Sequence, residues 1–250
     1  MIPRLLLALF LLSSVTRADE ATEKLVLATY KLCHDSSVAT GFIVETEERD
    51  FIVTAAHVLE NMRGEGLLLV ARDKQESGEY KRQDIPVRIR KGPKPLWKKH
   101  SDHDIAILEL PDEIDEPGIP LEALAKDSGM TVGDSLRTIV FPERFEANGA
   151  GFPTLRSGVV ASYPLTPHNI HATFLIDMTS WSGDSGGPVQ LVDEKSENPV
   201  VVGVLVGKHS ITDTSKESRF VERKTFYPLD ISFAVHASFV RTMIEEFDAD

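Results

Sequence analysis

Cysteine is almost absent from this chain of 250 residues: Cys33 is the only one, so no disulfide can form within the molecule. A chain of this length can bury a sizeable apolar core, and we expect that core to supply its stability. Cys33 lies in the run LVLATYKLCH. It is predicted to be a small buried apolar residue rather than a catalytic thiol.

Positive charge is also scarce. The chain has 27 Lys and Arg residues against 39 Asp and Glu, which gives a formal net charge of −12. Because phosphate contacts need a surplus of basic side chains, this balance argues against nucleic-acid binding. The exception is the basic segment RIRKGPKPLWKK at 88–99. It is interpreted as a solvated loop, with a docking patch for an acidic partner as the alternative.

Beyond the N-terminus the chain lacks long apolar runs. Its first residues, MIPRLLLALFLLSSVTRADE, place Arg4 before an apolar run at 5–12 and a small-residue site at 16–18. This pattern is typical of a secretory signal peptide, and the run is too short for a stable transmembrane helix. A short N-terminal membrane anchor is the alternative. We expect residues 1–18 to be removed, leaving a secreted or periplasmic protein without stable membrane insertion.

Short β-type runs, separated by Gly, Pro, Asp and Asn, recur on both sides of an acidic stretch rich in Pro and Gly at 111–135. They predict an all-β fold. We expect an N-terminal barrel at 19–112, a connector at 113–135 and a C-terminal barrel at 136–236. The apolar spacing of HASFVRTMIEEF predicts a C-terminal helix followed by a tail, at 237–250. The β-type runs are 24–32, 40–47, 50–56, 66–72, 84–90, 104–110, 136–141, 156–163, 172–178, 199–207 and 230–235.

The stretch TSWSGDSGGPVQ at 179–190 places Ser185 between Asp184 and two glycines. One interpretation is a tight turn, since Gly, Ser and Asp are the usual turn formers. The other is a loop in which Gly183 and the glycine pair direct backbone N–H groups to one point beside the Ser185 hydroxyl. A serine hydroxyl is a nucleophile only if a base takes its proton, so the second interpretation requires partners elsewhere.

Candidate partners are found by their context. His57, in FIVTAAHVLEN, follows a strand and a small-residue turn, and imidazole has the pKa that suits a general base. In SDHDIAILEL, Asp104 heads an apolar strand and is favoured as the carboxylate that orients the imidazole, with Asp102 as the competitor. The cluster HSDHD could also suggest a metal site. Its spacing is irregular and no second cluster supports it, so we expect no metal and no cofactor.

The motifs TAAHV, DIAIL and GDSGGP, in that order, resemble the His, Asp and Ser motifs of trypsin-like (chymotrypsin-fold) serine proteases. TGFIVETEERDFIVTAAHVLEN, TVGDSLRTIVFP, LRSGVVASY and ISFAVHASFVRTMIEEF are similar to the protease domain of bacterial high-temperature-requirement (Deg-type) enzymes, without the peptide-binding domain that follows there. The resemblance covers about residues 24–247. It implies two six-stranded antiparallel β-barrels and a C-terminal helix.

The resemblance also implies a mechanism. Ser185 would attack the scissile carbonyl, His57 would act as general base and then general acid, and Asp104 would orient His57. The amides of Gly183 and Ser185 would form the oxyanion hole. The implied protein is a secreted or envelope serine endopeptidase that acts on proteins or peptides. A catalytically silent binding protein of the same fold and a self-processing or ester hydrolase are the alternatives, and the oligomeric state is open.

The substrate pocket follows from the same resemblance, which implies Thr179 at its base. Because Thr179 carries no charge where an Asp would select Lys or Arg, a small or aliphatic preference is expected. Ser180, Lys208 and His209 leave an acidic or amide preference open. The strand VGVLVGK, with Val206, Gly207 and Lys208, resembles the one that pairs with substrate backbone.

Asp184 departs from the Deg-type pattern, in which Asn is usual at this position. The stretch ADEATEKLV offers no apolar N-terminus to pair with this carboxylate. A buried Asp184 would need a Lys or Arg nearby, because an isolated buried carboxylate is costly. We expect no zymogen cleavage.

Overall fold

The computed structural model describes residues 17–127, 129–143, 145–193, 196–218 and 221–248. The predicted signal peptide lies outside the described residues except for its last two, which begin a helix. No helix in the described ranges combines the length and the apolar character needed to cross a membrane. The helices are α1 (Arg17–Leu27), α2 (Ala56–Asn61) and α3 (Ala237–Asp248), with a short 3₁₀ turn at Leu121–Ala123.

Helix α1 corrects the prediction of a strand over 24–32, because the strand begins only at Thr29. Ala21, Leu25 and Ala28 follow one another at helical spacing, and all three are buried. This face packs on the core, and the Thr29 hydroxyl donates a 2.7 Å hydrogen bond to the Leu25 carbonyl. Burial of one apolar face therefore overrides the local β-type pattern.

The N-terminal half is a single eight-stranded sheet in the order β5-β4-β1-β2-β3-β9-β8, with β10 added in parallel to β2; β6 and β7 form a separate small hairpin. The central strands of this sheet are buried over most of their length on both faces, whereas one edge strand is largely exposed. The strands are β1 (Thr29–His34), β2 (Ser37–Glu45), β3 (Asp50–Thr54), β4 (Gly66–Lys74), β5 (Tyr80–Arg88), β6 (Arg90–Lys91), β7 (Lys94–Pro95), β8 (Trp97–Lys99), β9 (Ala106–Glu109) and β10 (Ile119–Pro120).

The predicted six-stranded antiparallel barrel differs in one detail in this half: across the described residues the edge strands β5 and β8 do not pair, so the sheet stays open. The basic segment 88–99 lies between them. Pro93 and Pro95 offer no backbone N–H, and Gly92 adopts a left-handed φ of 60°, so the chain turns through the β6–β7 hairpin instead of continuing the ladder. Arg90 Nη2 anchors the hairpin by donating to the carbonyls of Leu59 and Met62, at 2.8 and 3.1 Å.

The C-terminal half is a closed six-stranded barrel in the order β11-β12-β13-β16-β15-β14, as predicted. Strands β15 and β16 are much longer than the predicted runs and pair outwards as a hairpin from Gly203↔His236 to Ser218↔Val221. β14 was not predicted, because its four residues follow directly on the glycine pair. The strands are β11 (Ser135–Val140), β12 (Thr154–Val160), β13 (Thr173–Asp177), β14 (Pro188–Leu191), β15 (Val200–Ser218) and β16 (Val221–His236).

The C-terminal helix α3 forms as predicted, and it packs on the N-terminal half. Val240 and Ile244 are fully buried in the same apolar core as the strands of the open sheet, and Val204 of β15 joins that core from the barrel. A second, smaller core fills the barrel itself. Cys33, near the end of β1, is only half-buried, and burial raises the pKa of its thiol. The all-β fold class is confirmed, with one closed barrel, one open sheet and a C-terminal helix.

Candidate active site

His57 and Asp104 are brought together by the pairing of two neighbouring strands. β3 ends at Thr54, which is paired with Ala106 at the start of β9. His57 lies in the first turn of α2, directly after β3, and Asp104 directly precedes β9. The Asp104 carboxylate accepts two hydrogen bonds from His57, from ring Nδ1 at 2.6 Å and from the backbone N–H at 2.8 Å.

This double contact sets the charge and the tautomer. Burial disfavours ionisation of Asp104, but the bonds from the His57 ring and backbone outweigh it and hold the pKa of the carboxyl below its usual value. Asp104 is therefore ionised at neutral pH. The carboxylate accepts a hydrogen bond from Nδ1–H of His57. The ring proton therefore stays on Nδ1, and Nε2 is free to act as a proton acceptor. The competitor Asp102 instead accepts a 2.6 Å bond from the Ser101 hydroxyl and makes no contact with His57 among the described residues.

Ser185 lies in a loop whose backbone needs glycine at two positions. Gly183 and Gly186 have left-handed φ angles of 97° and 92°. A Cβ atom at Gly183 would stand 2.4 Å from the Phe141 carbonyl oxygen, and one at Gly186 would stand 2.0 Å from that of Thr40. No other residue type fits either position without moving the main chain.

The amides of Gly183 and Ser185 donate no hydrogen bond to any residue that the structure describes, whereas neighbouring amides in the loop are paired. The Asp184 amide donates to the Trp181 carbonyl, and the Gly186 amide to the Leu205 carbonyl. Two such donors in one loop, one buried and one half-buried, without a protein partner are uncommon. They remain available to an acceptor in the cavity that both residues line.

That cavity, of about 350 Å³, joins the two halves of the candidate site. His57 lies on one wall, and Gly183 and Ser185 lie on another. Within the described ranges no hydrogen bond joins the Ser185 hydroxyl to the His57 ring, and catalytic contacts of this kind often tighten only when substrate is bound. The remaining lining comes from β2 and its preceding turn, from α2, and from residues 143 and 182.

Thr40 of β2 connects the loop that contains Ser185 to the open sheet through hydrogen bonds. Its hydroxyl donates to the Gly183 carbonyl at 2.8 Å and accepts from the Phe141 amide at 2.9 Å. Its amide donates to the Ser185 carbonyl at 3.0 Å, and its own carbonyl accepts from the Thr54 hydroxyl at 2.7 Å. Sequence reasoning missed Thr40, since nothing in the local run SVATGF marks one threonine as a bridge between two halves.

A second cavity, of about 340 Å³, opens beside Ser185 on the barrel side. Of the predicted pocket residues, Ser180, Gly207 and Lys208 line it, together with Trp181, Ser182 and Leu205. Ser180 is 3% exposed, and the Lys208 ammonium stands 5.6 Å from the centre of the Trp181 ring.

Thr179 and Val206 do not line this cavity. The Thr179 hydroxyl donates to the Asp230 carboxylate at 2.5 Å. Val206 is 5% exposed and lies between Leu205 and Gly207, where the pairing of β15 with β16 is irregular, and its side chain packs in the core instead of lining the cavity. The structure therefore separates both residues from the other three predicted pocket residues.

Asp184 is 1% exposed, and the Lys or Arg that its burial requires is Arg156 of β12. The distance from Arg156 Nε to Asp184 Oδ2 is 3.4 Å, and the same oxygen accepts from the Trp181 amide at 2.7 Å. Burial raises the pKa of Asp184, although the Trp181 amide, Arg156 and Lys208 act in the opposite direction. Sequence reasoning stated the requirement but did not identify the arginine, which lies 28 positions before Asp184.

The two histidines of the HSDHD cluster pack against helix α3. The rings of His100 and His103 stack 4.5 Å apart, and both contact Phe239 of α3. No group of three or more His, Cys, Asp or Glu side chains in the described part of the chain is arranged to hold a metal ion.

The sequence profile of the trypsin-like peptidase domain family matches residues 39–204. No curated protein sequence matches the chain. Among solved structures, the HtrA-type protease AlgW with a tripeptide is similar, with a TM-score of 0.58, 14% identity, and coverage of 91% of this chain and 62% of AlgW. The present chain thus spans less than two thirds of the AlgW length.

Two further structures cover most of both chains. The inactive form of Rv3671c from M. tuberculosis H37Rv has a TM-score of 0.55 and 15% identity. The match covers 95% of the present chain and 94% of the Rv3671c chain. Deg5 has a TM-score of 0.54 and 17% identity, with 93% of each chain covered. At these identities the likeness establishes a shared fold. It confirms the sequence-based resemblance to chymotrypsin-fold proteases of the HtrA and Deg type.

Proposed function

The chain belongs to the trypsin-like peptidase domain family, and we propose that it is a serine endopeptidase that hydrolyses peptide bonds through Ser185, His57 and Asp104. The observation that carries the proposal is the double hydrogen bond from His57 to Asp104 at the wall of the cavity that Ser185 lines. A histidine held in this tautomer, in the same cavity as a serine, supports acyl transfer as the reaction.

The proposed reaction has two stages. His57 Nε2 takes the hydroxyl proton as Ser185 Oγ forms a bond to the substrate carbonyl carbon. The imidazolium, stabilised by Asp104, then gives that proton to the leaving amine as the C–N bond breaks. A water molecule attacks the resulting acyl-enzyme with His57 again as base, which releases the acid and restores Ser185.

The negative charge that develops on the carbonyl oxygen needs preorganised donors. We propose the amides of Gly183 and Ser185 for this role, supported by their lack of a partner among the described residues and by the left-handed backbone at Gly183. Donors of this kind contribute on the order of a hundredfold or more in rate, because they cost no reorganisation during the reaction.

The proposed preference is for a small or aliphatic side chain before the cleaved bond. The cavity beside Ser185 is lined by Leu205, Gly207 and Trp181, and no carboxylate is among its described lining residues, which disfavours Lys and Arg as substrates. Ser180 and Lys208 favour a second candidate, an acidic or amide side chain, because both present polar groups to the same cavity.

The decisive test compares the wild type with Ser185→Ala. We expect a fluorophosphonate probe to label the wild type only, and casein to be cleaved by the wild type with at least about a thousandfold advantage over the variant. Cleavage-site profiling on denatured casein then separates the two pocket candidates. A folded wild type that is not labelled would favour a silent binding protein, and labelling without casein cleavage would favour an ester or self-processing hydrolase.

Export followed by removal of residues 1–18, with release into the periplasm or the medium, stays a prediction of the sequence. N-terminal sequencing of the mature protein tests it, with a start near Asp19 as the expected result.

A further inference from the structure

Asp184 is the most deeply buried carboxylate beside the candidate site, and its surroundings only partly satisfy it. Oδ2 has two neighbours, the Trp181 amide and Arg156, whereas Oδ1 has no hydrogen-bond partner among the described residues. An ionised carboxylate in such a place is stable only if a cation compensates the lost hydration.

The position of Asp184 couples this charge to the proposed oxyanion hole. Asp184 is covalently flanked by Gly183 and Ser185, whose amides are the proposed donors. Its own amide donates to the Trp181 carbonyl at 3.1 Å, and its carbonyl accepts from the Gly187 amide at 3.1 Å. The Asp184 carboxylate also accepts from the Trp181 amide, so a displacement of the side chain removes a hydrogen bond that holds this turn.

Arg156 contacts this turn at two points, the Asp184 carboxylate and the Thr179 carbonyl. Its Nε lies 3.4 Å from the Asp184 carboxylate, and its Nη1 donates to the Thr179 carbonyl at 3.4 Å, just before the loop begins. The arginine is anchored in the barrel, because Arg156 of β12 is paired with Thr138 of β11. Its side chain is 25% exposed and lines a cavity of about 710 Å³, so its charge is partly hydrated while that of Asp184 is not.

We propose that Arg156 is a positioning residue for the reaction: through its ion pair with Asp184 it keeps the loop 181–187 in the conformation that presents the Gly183 and Ser185 amides. This inference rests on the proposed function. Since the cation comes from a strand of the same barrel, the loop forms without a new chain end and activity needs no proteolytic trimming.

The pair predicts a specific pattern among variants. Arg156→Gln leaves an uncompensated buried charge, which expels the Asp184 side chain and disorders the loop. Asp184→Asn keeps a side-chain oxygen that accepts from the Trp181 amide and removes the charge. The double variant lacks both charges and should recover the loop, because neutral replacement of a buried ion pair is far less costly than the loss of one partner.

Steady-state kinetics on a peptide substrate test this pattern. We expect Arg156→Gln to lower kcat by about a hundredfold or more with little change in KM, because oxyanion donors act in the transition state. Adding Asp184→Asn should return kcat to within about tenfold of Asp184→Asn alone. Arg137→Gln is the matched control: Arg137 lies on neighbouring β11 and donates to Thr22 at 2.7 Å, away from the loop, and its loss should leave kcat unchanged.

A second measurement is independent of activity. The chain has two tryptophans, so in a Trp97→Phe background the emission of Trp181 reports on the loop alone. We expect acrylamide to quench Trp181 more strongly in Arg156→Gln, and the double variant to restore the wild-type quenching. An inactive wild type with this fluorescence pattern would overturn the proposed function but not the positioning role. Full kcat and unchanged quenching in Arg156→Gln, or additive losses in the double variant, would overturn the positioning role.

Discussion

The two halves of the molecule place their reactive groups by different means. In the open N-terminal sheet, His57 and Asp104 lie at adjacent strand ends and hold each other directly through two hydrogen bonds. In the closed C-terminal barrel, Ser185 lies in a loop shaped by two left-handed glycines and by the ion pair of half-buried Arg156 with buried Asp184. Paired strand ends bring His57 and Asp104 close enough for direct contact. The loop that carries Ser185 has no such pairing, so its main-chain conformation and an ion pair fix its shape instead.

The junction between the halves depends on few residues. Thr40 is fully buried on β2 and bonds to Gly183, Ser185 and Phe141 of the barrel side. Helix α3 returns from the barrel and packs on the core of the sheet. The position of His57 relative to Ser185, the proposed base and nucleophile, is thus set by a few hydrogen bonds and one helix.

The largest effect is expected from the N-terminal half. Asp104→Asn keeps the shape of the side chain but no longer requires the proton of His57 on Nδ1, so Nε2 loses its role as acceptor. We expect kcat to fall about 10⁴-fold. Asp102→Asn is the control in the same loop and should stay near wild type. A greater loss for Asp102→Asn would reverse the assignment of the two carboxylates.

At the junction, Thr40→Val should lower the free energy of unfolding by about 2–4 kcal/mol. The valine leaves the buried Gly183 carbonyl and the Phe141 amide without their partner, and each orphaned group costs about 1–3 kcal/mol. Thr40→Ser retains the hydroxyl and serves as the control. Urea unfolding of both variants measures the difference, and equal stability of the Val and Ser variants would show that the bridge carries little energy.

A smaller effect concerns the pH dependence of the C-terminal half. His236 is fully buried at the end of β16, stacked 3.9 Å from the ring of His168, whose Nε2 lies 4.0 Å from Asp127. Burial, together with the neighbouring His168, lowers the pKa of His236 to about 4. The unfolded chain takes up this proton near pH 6.5, well before the folded chain does.

The resulting stabilisation is therefore present above about pH 6.5 and is lost as the pH falls towards 4. Between pH 7 and pH 5 the loss amounts to about 2 kcal/mol of unfolding free energy. His236→Phe keeps an aromatic ring against Phe174 and should remove this part of the acid dependence in urea titrations at the two pH values. Identical pH slopes for wild type and variant would contradict the assignment to His236.

Much of the fold was predictable because its signals are local. Short apolar runs between turn residues predicted the strands, and the spacing of Phe239, Met243, Ile244 and Phe247 predicted α3. The predicted strand over 24–28 is wrong because this segment ends helix α1, which buries Leu25 in the core. The N-terminal sheet differs from the predicted closed barrel because the Pro-rich segment 88–99 interrupts the pairing that closure needs.

The candidate site likewise contains residues that local motifs predict and residues that no local motif predicts. His57, Asp104 and Ser185 each stand in a short motif, and the motif order predicts their grouping. Thr40 and Arg156 act across separations of 143 and 28 positions, where no local pattern exists. Thr179 and Val206 were predicted pocket residues, but the Thr179 hydroxyl bonds to Asp230 and the Val206 side chain packs in the core.

Local sequence patterns were enough to predict the all-β class, the C-terminal helix and the glycine loop around Ser185, because turn chemistry and apolar period act over a few residues. The folded chain was needed to see that one half stays open, that Thr40 joins the halves and that Arg156 compensates Asp184. These features depend on contacts between residues that are far apart in the sequence. A polar group that is buried without a partner costs free energy, so the stable fold is one in which each such group meets a partner.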